Sequence, residues 1–468
     1  MRSRTSVLAM CLVLAWVGVQ SVEGRMVFSP TLDPLLVEGR KLLPSVPAAG
    51  DGFGVAVAVF GDTMLVGAPD DDDGGDNSGS AYVFERNLGG VGRWGKVRKL
   101  TASDGAANDR FGLRVAISGD VVVVGAHRDD DAGTDSGSAY VFERNHGGAN
   151  SWGEVKKLTA SDAGAYDKFG HAVGISGDTL LVGTTLDDDG GINSGSAYVF
   201  ERNFGSPGNW GEVRKLMAGD AAPYDQFGQS VAIDGDIAVV GAYYNDDAGS
   251  ESGSAYVFER NFGSPGNWGQ IQKLTASDAA AGDRFGRWVG VSGDVTVVGA
   301  YRDDDSGTSS GSAYVFGRNR GGKGTWGEAK KLTASLAAAD EYFGISVAIC
   351  GDVLVVGANR DDHAGINSGS AYLFKRDFGG PDNWGAVQKL VASDAAASDY
   401  FGYPVAIYGD TVVLGADHDD DAGADSGSAY VFTPPYLRHF ISDAAPSADL
   451  LFGPGTIPEL LEPVQYHP

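Results

Sequence analysis

The chain has 468 residues and a formal net charge of -27, with 62 Asp and Glu against 35 Lys and Arg. Such an excess of carboxylates excludes nucleic acid as an expected partner, because phosphate binding rests on Lys and Arg. The length exceeds one ordinary compact core, and the 71 glycines recur at fixed places beside Val, Tyr and Phe, which is turn chemistry between strands and excludes a disordered linker.

At the N-terminus, Arg2 and Arg4 precede an apolar run at 7–19, and the small residues Ser21 and Gly24 follow. This is the pattern of a secretory signal peptide over residues 1–24, with 25–35 as a lead into the folded part. The run is shorter than the ~20 apolar residues a span needs, so no transmembrane anchor is expected and the chain reads as secreted or held at the extracellular surface. Cys11 would leave with the signal. Cys350 then has no partner, and it stands where other units carry Phe60, Ser118, Ser176, Asp234, Ser292 or Tyr408, so neither a disulfide nor a catalytic thiol is expected.

From residue 36 the chain repeats. Phe53, Phe111, Phe169, Phe227, Phe285, Phe343 and Phe401 are each followed by Gly, and each lies 58 residues after the last. A unit copied at constant period, unable to bury its own apolar faces, must stack on its neighbours. In the first copy an apolar stretch at 55–59, the turn Gly61-Asp62 and a second stretch at 63–68 predict a hairpin. An acidic loop follows, then GSAYVF at 79–84 as a third strand, and after a Gly-rich stretch and Trp94 a fourth strand at 97–101 that contains Arg98, Lys99 and Leu100. The first three strands are nearly continuously apolar, as in sheets covered on both faces, whereas the basic fourth discourages edge pairing.

These units predict an all-β chain, a seven-bladed β-propeller of four-stranded antiparallel blades spanning 36–432. The Leu that ends the fourth strand recurs at Leu42, Leu100, Leu158, Leu216, Leu274, Leu332 and Leu390, always 11 residues before Phe-Gly, and the first of these precedes the first complete unit. The last unit supplies three strands through Phe432 and then meets Pro434-Pro435. Its fourth strand is therefore expected from the N-terminal segment 36–43, with 436–441 as the competing source. The remainder, 433–468, is a Pro-rich tail.

The repeated Phe-Gly, the apolar strand and the triplet Gly67-Ala68-Pro69 resemble the FG-GAP repeats that build the propeller of integrin α subunits; Pro survives only in the first copy. The resemblance covers roughly 36–432 and implies extracellular recognition and adhesion. Integrin-type calcium loops lie between the first and second strands of a blade, where this chain has only the Gly-Asp turn, so those sites do not carry over. The chain looks closer to the shorter FG-GAP repeats of secreted microbial proteins, with the acidic segment after Gly-Ala.

That acidic segment offers its own metal candidates. Hard cations need several oxygens converging in one short loop, and Asp71, Asp73 and Asn77 alternate at every second residue together with the carbonyl near Gly75. Equivalent sets are Asp129, Asp131 and Asp135; Asp187, Asp189 and Asn193; and Asp419, Asp421 and Asp425. Calcium is the expected ion. The remaining copies are altered: Asn245, Asp247 and Glu251; Asp303 and Asp305 with Ser309; Asp361, His363 and Asn367. The competing explanation is that Asp and Asn make Asx turns while Gly supplies positive φ.

Antiparallel order puts the loops from strand two to three and from strand four to the next blade on one face, which collects acids from both, including Asp104, Asp109, Asp162 and Asp167. The opposite face receives Arg86, Arg144 and Arg202 with Trp94, Trp152 and Trp210, and the recurrence of Trp at strand starts points to packing more than to sugar stacking. Sevenfold copying opposes the unique constellation that catalysis needs, and the His residues are scattered, so no enzyme is expected. The leading expectation is an extracellular binding or adhesion module that meets a protein or polysaccharide ligand through its acidic face and channel mouth. A calcium-responsive matrix or surface scaffold is the alternative, followed by a propeller enzyme acting on polysaccharide. Thr184-Thr185, Tyr243-Tyr244 and Arg287-Trp288 depart from the repeat and mark places for asymmetric recognition.

Overall fold

The computed structural model describes residues 20–22, 25–27 and 35–435. Gln20–Val22 pairs antiparallel with Arg25–Val27; the rest of the expected signal peptide and the competing segment 436–441 lie outside the described residues. Within the described residues every element is a strand. In the first blade Ala56–Phe60 is innermost, followed outward by Thr63–Ala68, Ser80–Arg86 and Trp94–Leu100. The fourth strand thus begins three residues earlier than its apolar pattern indicates, because Trp94 pairs with Arg86 and is itself buried.

Seven such four-stranded sheets follow one another, and each inner strand packs on the next, the last (Val405–Tyr408) on the first. The outermost strand of the last sheet is Val37–Leu42, antiparallel to Ser428–Thr433, with Lys41 opposite Tyr430 and Leu42 opposite Ala429. Lys99 stands opposite Tyr82 and Leu100 opposite Ala81 in the first blade, so the N-terminal strand takes the same register as every other outer strand. Glu38 accepts hydrogen bonds from the Ser393 amide and hydroxyl at 2.8 and 3.0 Å, as Glu154 does from Ser103.

The core lies between blades. Each of seven apolar clusters combines residues of two adjacent sheets; one joins Leu65, Val83 and Leu100 to Phe111, Val124 and Trp152. Each Phe of a Phe-Gly pair enters such a cluster and meets two rings of its own third strand edge to face; Phe111 lies 5.5 Å from Tyr140 and 6.0 Å from Phe142. The glycine beside it is required by close approach. At Gly112 φ is +100°, and a Cβ there would strike the Ser80 carbonyl oxygen of the preceding blade, while Gly67 of that blade faces the Gly112 carbonyl in the same way. The Trp residues at the fourth-strand starts are buried, with Arg144 stacked 4.8 Å from the Trp152 ring, so they are packing groups and offer no open face to a sugar.

Candidate functional site

On the acidic face six of the seven loops are built around one buried carboxylate, and the fourth around the amide of Asn245. In the third blade Asp187, 3% exposed, follows the end of Thr179–Thr184; its carbonyl accepts the Gly195 amide at 2.9 Å, and its Oδ1 accepts the Asp189 amide at 3.0 Å. Asp187 Oδ2 faces the Tyr198 hydroxyl at 3.0 Å and Lys215 Nζ at 2.8 Å. Lys215 also reaches Asp189 at 2.6 Å and Asp162, from the preceding inter-blade loop, at 2.8 Å. One lysine ammonium therefore sits among three carboxylates.

A bulge makes this possible. The pairing of Ser196–Arg202 with Trp210–Leu216 shifts register between Val199 and Phe200, leaving Lys215 directly opposite Tyr198 so that both reach Asp187. The arrangement recurs: Lys99 binds Asp71 and Asp73; Lys157 binds Asp104, Asp129 and Asp131; Lys41 binds Asp394, Asp419 and Asp421. Lys331 gathers Asp278, Asp303 and Asp305 just as completely, although Ser309 had marked that loop as altered. Asn245 replaces the central acid beside Lys273, and Lys389 keeps only Asp361.

Two thirds of each expected metal set is therefore brought together, and the last third is not. Asn77, Asp135, Asn193 and Asp425 have φ of +50°, +49°, +55° and +51°, and their backbone amides bond the side chains of Asp72, Asp130, Asp188 and Asp420. They shape the turn, as Asx chemistry demands, while in three of the four sets an acid of the previous inter-blade loop (Asp104, Asp162 or Asp394) completes the cluster. The lysine was the residue that sequence reasoning passed over. Its signal was present: the residue before each outer-strand Leu is Lys in all seven copies, whereas its neighbour varies among Arg40, Lys156, Gln272 and others.

The channel mouth on this same face breaks the repeat. Trp288 and Tyr403 meet edge to face at 5.6 Å, Arg114 lies 5.1 Å from the Trp288 ring, and Arg114 and Arg287 each approach the Tyr403 hydroxyl to 3.4 Å. Burial raises the Tyr403 hydroxyl, but these two guanidinium groups outweigh it and lower its pKa. His127 and His171 pack edge to face at 5.7 Å; burial first, then neighbouring Lys168 and Arg side chains, pushes His127 down to about 3 and His171 well below its usual value. Both are neutral at physiological pH.

The joint between Phe-Gly of one blade and Gly-Ala of the blade before it is thus the structural unit, and the FG-GAP repeat family profile matches seven of them, at residues 37–84, 94–142, 152–200, 210–258, 268–316, 326–374 and 384–432. The chain belongs to the FG-GAP repeat family. Each matched segment starts on an outer strand and ends on the third strand of the next blade, the same offset that places Val37–Leu42 in the last sheet. No curated protein matches the chain. The FG-GAP propeller fold is integrin-like, and among the described residues no helix is long and apolar enough to cross a membrane.

In this FG-GAP chain the fit of calcium to the acidic loops turns on the lysines. Calcium takes six to eight oxygens at about 2.3–2.6 Å. In the clusters of Asp162, Asp187 and Asp189, of Asp278, Asp303 and Asp305, and of Asp394, Asp419 and Asp421, the ammonium already occupies the centre of the oxygens. The residues present fit an internal ion pair and would fit a resident calcium only after the lysine withdrew.

These loops also set a pH response. Burial raises Asp109, Asp283 and Asp399 to about 6, against the opposing hydrogen bond each accepts from the amide three residues earlier. Burial also raises Asp104, Asp162, Asp278 and Asp394, but Lys and Tyr hydrogen bonds outweigh it and hold them below 3.8. The first group destabilises the fold when ionised, a cost relieved as pH falls between about 6 and 4; the second contributes stability above about 4 that is lost as pH falls through its lower folded values. The melting temperature is expected to rise from pH 7.5 to about 5 and to fall below about 3.5. A scan of thermal unfolding against pH checks this, and a curve that declines steadily from pH 7.5 to 5 refutes it.

Proposed function

We propose that this FG-GAP propeller is a non-enzymatic binding module working outside the cell, which meets its ligand on the acidic-loop face at the mouth of the central channel. One observation carries the reading: side chains that depart from the sevenfold pattern gather there. The Tyr243 and Tyr244 rings lie 4.0 Å apart at a tilt, Arg284 lies 4.7 Å from the Tyr244 ring and Arg287 5.6 Å from the Tyr243 ring, and Trp288 meets Tyr403 beside them. A scaffold that only had to be rigid would have no use for asymmetry at one opening. The opposite face is less suited, because its arginines are consumed in ion pairs, as Arg144 is with Glu85 and Asp120.

The acidic loops serve this module as its frame, with lysine ammonium groups doing the work for which calcium was expected. Capture of a specific protein or saccharide from extracellular material by the purified chain, undiminished by a calcium chelator, is the expected result. Melting should likewise be unchanged by millimolar calcium. Calcium-dependent self-association, with no ligand captured, would favour the scaffold alternative.

A further inference from the structure

Beside the channel mouth, between the fifth, sixth and seventh blades, an open pocket of about 450 Å³ lies at the inner ends of the acidic loops. Its size falls within the range of small-molecule sites. Arg287, Arg302 and Arg360 line it, and none of the three has a carboxylate within ion-pairing distance among the described residues, in a chain whose net charge is -27. Nearby Arg284 is paired with Glu251 and Arg110 with Asp70, while among the described residues Arg114 and Arg128 of the second blade likewise have no carboxylate within ion-pairing distance. The lining holds one carboxylate, Asp417, which is engaged by His418 at 3.2 Å.

Several polar atoms here are cut off from solvent and lack a partner: Arg287 Nη1, Arg302 Nε and the Asn359 side-chain oxygen. Buried polar groups are normally paired, so a cluster left without partners beside an open pocket points to a ligand that supplies the missing bonds once these side chains turn toward it. The unmet donors belong to guanidinium groups, which favour a planar carboxylate. The unmet amide oxygen asks for a hydroxyl in the same molecule.

The walls are aromatic. Tyr301 and Tyr342 meet edge to face at 5.1 Å, Tyr400 packs on His418 at 5.0 Å, and Tyr403 closes the channel side; Ile345 is the aliphatic member of the lining. Flat rings edged with hydroxyls suit a sugar ring better than a lipid tail. Outside them the exposed carboxylates of Asp304, Asp362 and Asp420 stand on the loops. Their field repels a broad acidic surface or a dense polyanion and admits a slim ligand with one compact negative group.

We propose that this pocket binds the end of an acidic saccharide, a pyranose bearing one carboxylate, with the carboxylate on Arg287 and Arg302 and ring hydroxyls toward Asn359. This deepens the binding function proposed above and rests on it. Its sequence trace is the pair of residues after Gly-Ala, which reads Tyr301-Arg302, Asn359-Arg360 and Asp417-His418 in these three blades but Pro69-Asp70 in the first.

The test is calorimetric titration of the full chain with methyl galacturonoside, a pyranose bearing one carboxylate, and with the neutral methyl galactoside. Binding of the first, at least tenfold tighter than the second, is expected, with a tenfold or greater loss in Arg302→Gln. Because Arg287 packs against neighbouring rings, Arg287→Met is compared only after its melting curve is shown to match the parent; Arg302→Gln and Asn359→Ala carry the result if it does not. Equal binding of both saccharides, or binding by Arg302→Gln as tight as the parent's, overturns the pocket assignment. Binding of a glutamate-rich peptide in place of either saccharide overturns the saccharide class. If Arg302→Gln still captures the parent's extracellular ligand, the pocket assignment fails while the binding function stands; if neither chain captures anything, the binding function itself fails.

Discussion

A chain beginning at residue 44 is expected to melt on the order of 10 °C below one beginning at residue 25. The missing segment carries Leu36 and Leu42, both buried, each worth about 2 kcal/mol of burial. It also carries Lys41, whose loss leaves Asp419 buried beside Asp394 and Asp421 without a cation, a change that costs about 3–5 kcal/mol when one partner of a buried pair is removed. The uncovered edge of Ser428–Thr433 would then invite pairing with other chains, so concentration-dependent association should accompany the drop. A synthetic peptide covering residues 35–44 should restore part of the melting temperature. Truncation that shifts melting by less than about 2 °C would show that another segment completes the blade.

Lys215→Met is expected to destabilise the fold by roughly 3 kcal/mol at neutral pH. The ammonium is mostly buried and contacts three carboxylates, one of them 4% exposed in its side chain, so its removal concentrates uncompensated negative charge. The same substitution vacates a cluster of oxygens lying within 4.8 Å of one another, and millimolar calcium should therefore raise the melting point of the variant while leaving the parent unmoved. Adding Asp187→Asn to Lys215→Met should recover part of the loss, since the pair is coupled. Equal stability of parent and Lys215→Met would mean that the lysine contributes nothing beyond a surface ion pair. A calcium response in the parent as large as in the variant would mean that the metal competes successfully with the ammonium.

Much of this architecture was legible because the chain repeats itself. Phe-Gly, Gly-Ala and GSAYVF each recur in one register, and the structure shows why they belong together: their glycines and small residues meet at a single joint between blades, where backbone carbonyls leave no room for a Cβ. The acidic loops were legible as acidic but not as ion pairs. Asp71 and Lys99 lie 28 residues apart, on either side of a strand and a Gly-rich turn, and only the bulge in the outer pairing aims one at the other. Asn77 misled in the opposite sense, because a period of two describes an extended strand and its backbone is left-handed. The two-sided charge expected of the disc was likewise modified: Arg287, Arg302 and Arg360 stand inside the acidic face.

Sequence alone determined the number of blades, their strand order and the residues of the joint, since a strict period with a turn at fixed offset admits few ways of burying so many apolar strands. Tertiary structure alone decided what the charges do. Coulomb interaction depends on distance and burial, and neither is a property of spacing along a chain: lysines from outer strands reach carboxylates of two different loops, while arginines from two separate blades converge on one pocket.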